Sequence, residues 1–271
     1  MTKILKSSKK TCNLASMYRP RVIPVLLLKN NGLVKSTKFN NYKYIGDPIN
    51  AVRIFNELYA DEIVFLDTEA TKKGKLIDIQ LVKEIGEEAN MPFGVGGGIK
   101  TLEDIQQLIQ AGAEKVIICS EALRRPEFIR DASKTFGSST ISVCMDVGKS
   151  FFGGTKLFSQ GGKTKHKISP IQFAQLMEEF GAGELIIQSI EFDGMMNGFN
   201  YSESVSIAKS VSIPVTILGG AGKLEDINEA HQKFTFNGYA AGSLFVYQGI
   251  HRGVLINYPD KKTINDLFYT R

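Results

Sequence analysis

The chain has 271 residues, 43% of them hydrophobic, and a formal net charge of +5, a length that supports either two domains or one large α/β barrel. No run of about 18 apolar residues occurs, which argues against a helical membrane span, and no nucleic-acid motif is found, so the mild basic balance fits phosphorylated ligands or an acidic partner. The three cysteines, Cys12, Cys119 and Cys144, lack metal-ligand spacing; Cys119 and Cys144 fall in predicted strands and read as reduced core residues of a cytoplasmic protein.

Residues 1–18 precede the first predicted strand and are expected to form an extension outside the fold, a candidate for disorder. Their basic run, Lys3 to Lys10, is not followed by the roughly 7–15 apolar residues of a signal peptide. Residues 19–271 are read as one domain. Its predicted strands are Val22–Leu28, Glu62–Leu66, Phe93–Val95, Lys115–Ile118, Ser139–Asp146, Glu184–Ser189, Val215–Leu218 and Gly238–Ala241. Amphipathic stretches lie between most of them, Pro48–Tyr59 and Leu76–Ala89 among them. Strands without polar alternation, each followed by a helix, predict a closed parallel (βα)8 TIM barrel. The segment Gly148–Lys167, with two Gly-Gly pairs, reads as a hairpin-bearing loop after the fifth strand, a candidate lid. His166, His231 and His251 match no triad or metal spacing and are read as surface or loop residues.

The two halves of the chain repeat. "PFGVGGGIKTLEDI" from Pro92 matches "PVTILGGAGKLEDI" from Pro214, and Gly97 and Gly219, Leu102 and Leu224, and Asp104 and Asp226 are each 122 residues apart. Asp47-Pro48 and Ser169-Pro170, at the same offset, each supply a cap followed by proline at the first helical position. The barrel is therefore read as two duplicated half-barrels. Each half carries a glycine turn at a helix N-terminus, where backbone N–H groups suit an oxyanion.

The segments "RVIPVLLLKNNGLVKSTKF", "GDPINAVRIFNE", "DEIVFLD", "VGGGI", "GAGELIIQSIEFDG" and "LGGAGK" strongly resemble the cyclase subunit of imidazole glycerol phosphate synthase. The resemblance implies a barrel with two phosphate sites and a glutaminase subunit docked on its N-terminal face, whose ammonia is used at the C-terminal face. It also implies general acid/base work by two aspartates. The fifth-strand one is Asp146; the first-strand position aligns with Leu27, which cannot transfer a proton. Gly94, Cys119, Gln188 and Leu218 stand where the family usually has threonine, asparagine, threonine and serine. Gly98, Ser120, Asp193, Gly194, Gly220, Gly242 and Ser243 match its phosphate-binding positions, and Lys35 its loop lysine. Arg21, Glu62, Lys115 and Glu184 match a ring of charges that gates ammonia at the barrel floor. No metal or redox cofactor is expected.

The favoured reading is a paralogue that keeps the ammonia conduit but serves another acceptor. "VLLLKNNGLVKSTKF" resembles barrel proteins associated with acetamidino modification of surface-polysaccharide sugars, which implies a further partner, an amidotransferase acting on an acetamido sugar. The alternatives are an authentic cyclase of histidine biosynthesis and a non-catalytic module that binds a phosphorylated small molecule.

Overall fold

A computed structural model describes residues 19–150 and 153–269; the extension read over 1–18 lies outside them. The barrel strands are β1 (Arg21–Lys29), β2 (Ile63–Asp67), β3 (Phe93–Gly96), β4 (Lys115–Ile118), β5 (Ile141–Lys149), β6 (Glu184–Ser189), β7 (Val215–Leu218) and β8 (Gly238–Ala241). Each pairs in parallel with the next, and β1 closes the ring by pairing with both β2 (Val25 to Val64) and β8 (Arg21 to Gly238). The result is the (βα)8 TIM barrel.

Helices α1 (Pro48–Glu57), α2 (Ile79–Glu88), α3 (Leu102–Gln110), α4 (Glu127–Phe136), α5 (Pro170–Glu179), α6 (Tyr201–Ala208), α7 (Leu224–Lys233) and α8 (Lys261–Tyr269) complete the set, with a short helical turn at Ser120–Arg124. Local chemistry starts them. Asp47 accepts from Asn50 N at 2.9 Å ahead of Pro48, and Ser169 accepts from Gln172 N at 3.2 Å ahead of Pro170. The repeated Leu-Glu-Asp-Ile has the same logic: Asp104 accepts from Lys100 N and Thr101 N, and Asp226 from Gly222 N and Lys223 N. Each carboxylate thus satisfies two N–H groups at a helix start, where its charge also suits the dipole.

Two cores result. The larger lies between strands and helices and includes Phe55, Phe65, Phe173 and Tyr239. The smaller fills the barrel and consists of Ile23, Val25, Val64, Ile117, Cys144, Ile186, Leu218 and Ala240. Inside the barrel the alternation of β4 and β5 therefore brings Lys115, Ile117 and Cys119, and Ser142, Cys144 and Asp146, to the interior.

Two hairpins rise above the C-terminal rim. One, Gly32–Thr37 with Asn40–Gly46, continues β1. It turns at Asn30-Asn31 and again at Lys38-Phe39, all four with positive φ between 50° and 60°. The other pairs Thr155–Ser159 with β5 and with Thr164–Lys165, which carries β5 on to Lys149, past the expected end at Asp146.

Candidate active site

A cavity of about 660 Å³ opens at the C-terminal ends of the strands, where the loops of this fold carry chemistry. Its two sides are built alike. On the first, Gly97 and Gly98 follow β3 and Ser120 opens the turn after β4; on the second, Gly219 and Gly220 follow β7 and Ser243 opens a 3-10 turn after β8. At Gly98 (φ 73°) an added Cβ would lie 1.9 Å from Lys75 O, and at Gly220 (φ 113°) 2.0 Å from Gly198 O. Only glycine fits there. Each turn is also tied down by a backbone bond, Ile77 N donating to Gly97 O and Gly198 N to Gly220 O, both at 3.0 Å.

Lys35 stands on the β1 hairpin strand, not on an irregular loop. Its ammonium lies against Gly242, where a Cβ would meet Nζ at 1.8 Å. Burial holds this ammonium below the ordinary lysine range, against the attraction of Asp193. A nearly buried cation beside the Gly242-Ser243 turn makes this side of the cavity a place for an anion.

Asp193 does something else. Its Oδ2 accepts from Ser36 Oγ at 2.6 Å and from Phe39 N at 3.1 Å, and its carbonyl accepts from Lys38 N at 2.9 Å. A carboxylate so used is a clasp for the hairpin tip. Gly194 packs beneath Ser36 O, 2.1 Å from where its Cβ would be.

At the centre, burial pushes the Asp146 carboxyl up to about 7, with hydrogen bonds from Cys119 and Cys144 opposing. Their sulfurs lie 3.6 Å from Oδ2 and 3.8 Å from Oδ1. Both cysteines line the cavity beside this acid. Cys144 is a buried core residue, as expected, whereas Cys119 lies just beyond β4 and is only partly covered, packed against that core. Leu27 also lines the cavity, with Val25, Leu66, Ile117 and Leu218. The neighbouring strand end, Asp67, sits in register with Leu28, and its Oδ1 accepts from Glu69 N and Ala70 N. It therefore holds a turn and does not stand in for the missing carboxylate. Gln188 is in register with Asp146 and reaches the same wall, and Gly94 lies a layer lower against Ile117.

His166 is a half-buried loop residue just past the Thr164–Lys165 strand, as expected, and it also lines the cavity, with Nε2 2.8 Å from Ser159 Oγ. His231 is half-buried against Tyr239 and Phe268, and His251 is exposed.

At the opposite end of the strands, Arg21, Glu62, Lys115 and Glu184 form a ring of alternating charge. Arg21 bonds Glu62 closely and Glu184 at 2.5 Å; Lys115 Nζ reaches Glu184 at 2.9 Å and Glu62 at 3.3 Å. Thr216 Oγ1, which the sequence reading missed, donates to Glu184 at 2.5 Å. Burial alone would lower the Arg21 pKa and raise that of Glu184, yet the opposite charges outweigh it in both, holding each in its ionised form. The ring and the cavity share the barrel axis. Among the described residues no helix is long and apolar enough to cross a membrane.

The family model "Histidine biosynthesis protein" matches residues 21–252. A relative from Pseudomonas aeruginosa, "Putative imidazole glycerol phosphate synthase subunit hisF2", is 45% identical over 244 residues, 90% of this chain and 97% of its own. One from Leptospira interrogans, "Putative imidazole glycerol phosphate synthase subunit HisF", is 42% identical over 254 residues, 93% of this chain and 100% of its own. The "Imidazole glycerol phosphate synthase subunit HisF" of Alkaliphilus metalliredigens is 36% identical over 234 residues, 86% and 93% of the two chains.

Proposed function

The chain belongs to the histidine biosynthesis protein family, and we propose that it is the barrel subunit of a glutamine-dependent complex of the imidazole glycerol phosphate synthase type. In this reading a glutaminase docks on the N-terminal face, ammonia enters through the ring of Arg21, Glu62, Lys115 and Glu184, and a phosphorylated ligand lies across the cavity at the other end. The single observation that carries it is that buried ring, aligned beneath a cavity with matched glycine turns on both sides. Four ionised groups in a barrel interior are expensive unless mutually paired, and a paired ring leaves a narrow polar aperture in the barrel floor. Passage of ammonia requires one pair to part, and Lys115, the most exposed of the four side chains, is the mobile member. Gly98 and Ser120 on one side, and Gly220, Gly242, Ser243 and Lys35 on the other, are the groups proposed to hold phosphate. Asp193 and Gly194 position the hairpin that brings Lys35 in.

The acceptor of the ammonia has two readings. Leu27 favours the first, in which the acceptor reacts on a separate protein, because the first strand brings no carboxylate to the cavity and two others on its lining, Asp67 and Asp193, are engaged in holding a turn and the hairpin tip. The acetamido sugar as that acceptor rests on sequence resemblance alone. The comparisons favour the second, an authentic cyclase, because a relative at 36% identity carries the name "Imidazole glycerol phosphate synthase subunit HisF", and those at 42% and 45% carry it with the prefix "Putative". In that case Asp146, with a midpoint of about 7, gives and takes the protons in turn. Loss of one positioned acid/base group lowers rate by about 10²–10⁴-fold. Formation of imidazole glycerol phosphate by the purified chain, from the ribonucleotide precursor and excess ammonium at high pH, decides between them. Turnover within tenfold of a cyclase with both aspartates supports the second reading; a deficit of a hundredfold or more supports the first.

A further inference from the structure

Cys119 and Cys144 take no part in the function proposed above, yet they sit at its centre. Ile117 is in register with Ser142 and Ile118 with Val143, and the next step along both strands places Cys119 beside Cys144. Both side chains point into the barrel, both line the cavity, and each sulfur lies against one oxygen of Asp146. We propose that Cys119 and Cys144 are a reversible disulfide-forming pair, a modification site for hydroperoxides in the cavity wall.

Strand spacing sets the geometry. Neighbouring strands lie about 4.7–4.9 Å apart, while a disulfide joins Cα atoms about 4.4–6.8 Å apart. The Cα span of neighbouring strands therefore suits a bridge near the short limit of its range, and a strained bridge is readily reduced. It is a switch, not a staple.

The Cys119 thiol is held well above its ordinary range, first by its hydrogen bond with Cys144 and then by burial, so it needs a base. Asp146 is in place to be one. As Asp146 takes the proton, the Cys119 sulfur attacks a peroxide oxygen and the O–O bond breaks. Hydrogen peroxide leaves one oxygen on sulfur as a sulfenic acid, and the other departs as hydroxide, which takes back the proton held by Asp146 and leaves as water. Cys144 then attacks the Cys119 sulfur, the S–O bond breaks, and the Cys144 proton passes to the departing hydroxyl, which leaves as a second water. The two thiols are oxidised by two electrons and the peroxide is reduced. Asp146 loses both S–H donors, which had favoured its charged form.

The test uses the full chain with Cys12→Ser, which leaves only the two thiols in question. Hydrogen peroxide is expected to remove both free thiols together and to yield a cross-linked peptide containing Cys119 and Cys144, two hydrogens lighter than its parts and restored by dithiothreitol. The Asp146 carboxyl resonance, followed by carbon NMR, should titrate at higher pH after oxidation. Oxygen addition to the cysteines without a cross-link, a cross-link that appears only in denaturant, or an unmoved Asp146 titration would each overturn the proposal. None of these readouts depends on a glutaminase or on cyclase activity, so the proposed function can fail while this stands.

Discussion

Asp146→Asn is expected to stabilise the fold in a pH-dependent way. Burial raises the Asp146 carboxyl from its ordinary 3.8 to about 7. Between those values the folded chain keeps a proton that the unfolded chain has released, so wild-type stability falls as pH rises, by about 1.4 kcal/mol per unit. The contribution is full below the unfolded value and is lost once pH passes the folded one. From about pH 5 to about pH 8 the loss is roughly 2.6 kcal/mol, most of it below the folded midpoint. Asparagine does not titrate, so its advantage over the wild type widens by that amount. For a chain of this size about 1 kcal/mol moves Tm by roughly 2–4 °C. Scanning calorimetry of both proteins should therefore show the Tm difference growing by about 5–10 °C between about pH 5 and about pH 8. A difference that stays constant would mean that Asp146 is already ionised in the folded chain, and the account of it as an acid poised near neutrality would be refuted.

Glu184→Ala leaves Arg21 and Lys115 facing one carboxylate and strands Thr216 Oγ1. An uncompensated buried charge costs about 3–5 kcal/mol, so Tm should fall by about 8–15 °C; adding Lys115→Met to Glu184→Ala should recover part of that loss. Gly98→Ala and Gly220→Ala force a methyl onto a backbone oxygen at positive φ, and calorimetric titration with inorganic phosphate should show weakened binding in each. Asp193→Asn keeps one acceptor but loses the charge that holds Ser36 Oγ and Phe39 N. Amide exchange in the Gly32–Gly46 hairpin should speed up by about 10-fold or more, for a charged hydrogen bond worth about 1.5–3 kcal/mol.

The barrel was legible because most of its strands are short buried runs rich in β-branched residues, clearest in β2, β4 and β7, and because the duplicated Leu-Glu-Asp-Ile signals set the helix starts. The β1 hairpin was not anticipated. Its outer strand, Asn40–Gly46, is mostly exposed and polar, so no alternation marks it, and Lys38-Phe39 adopts a tight-turn geometry that neither residue favours. Asn30-Asn31 was the signal available. His166 reaches the cavity only because its hairpin folds back on β5, a contact that local pattern does not encode. Cys119 and Cys144 are 25 positions apart and meet through strand register. Thr216 carries no motif; it matters through the Glu184 carboxylate above which β7 places it. Leu27, by contrast, was visible from the resemblance at once, and the structure shows apolar walls around it.

The most direct test of the conduit follows the amide nitrogen of glutamine in the complex with a glutaminase. With isotopically labelled glutamine and unlabelled ammonium in the buffer, the wild-type chain should raise glutamine hydrolysis and keep the label from mixing with bulk ammonium before it reaches the C-terminal mouth. Lys115→Ala, folded and still bound to the partner, should abolish that protection. If labelled and bulk nitrogen mix freely in the wild type, or if Lys115→Ala changes nothing, the ring is only a floor of paired charges and the barrel is not a conduit.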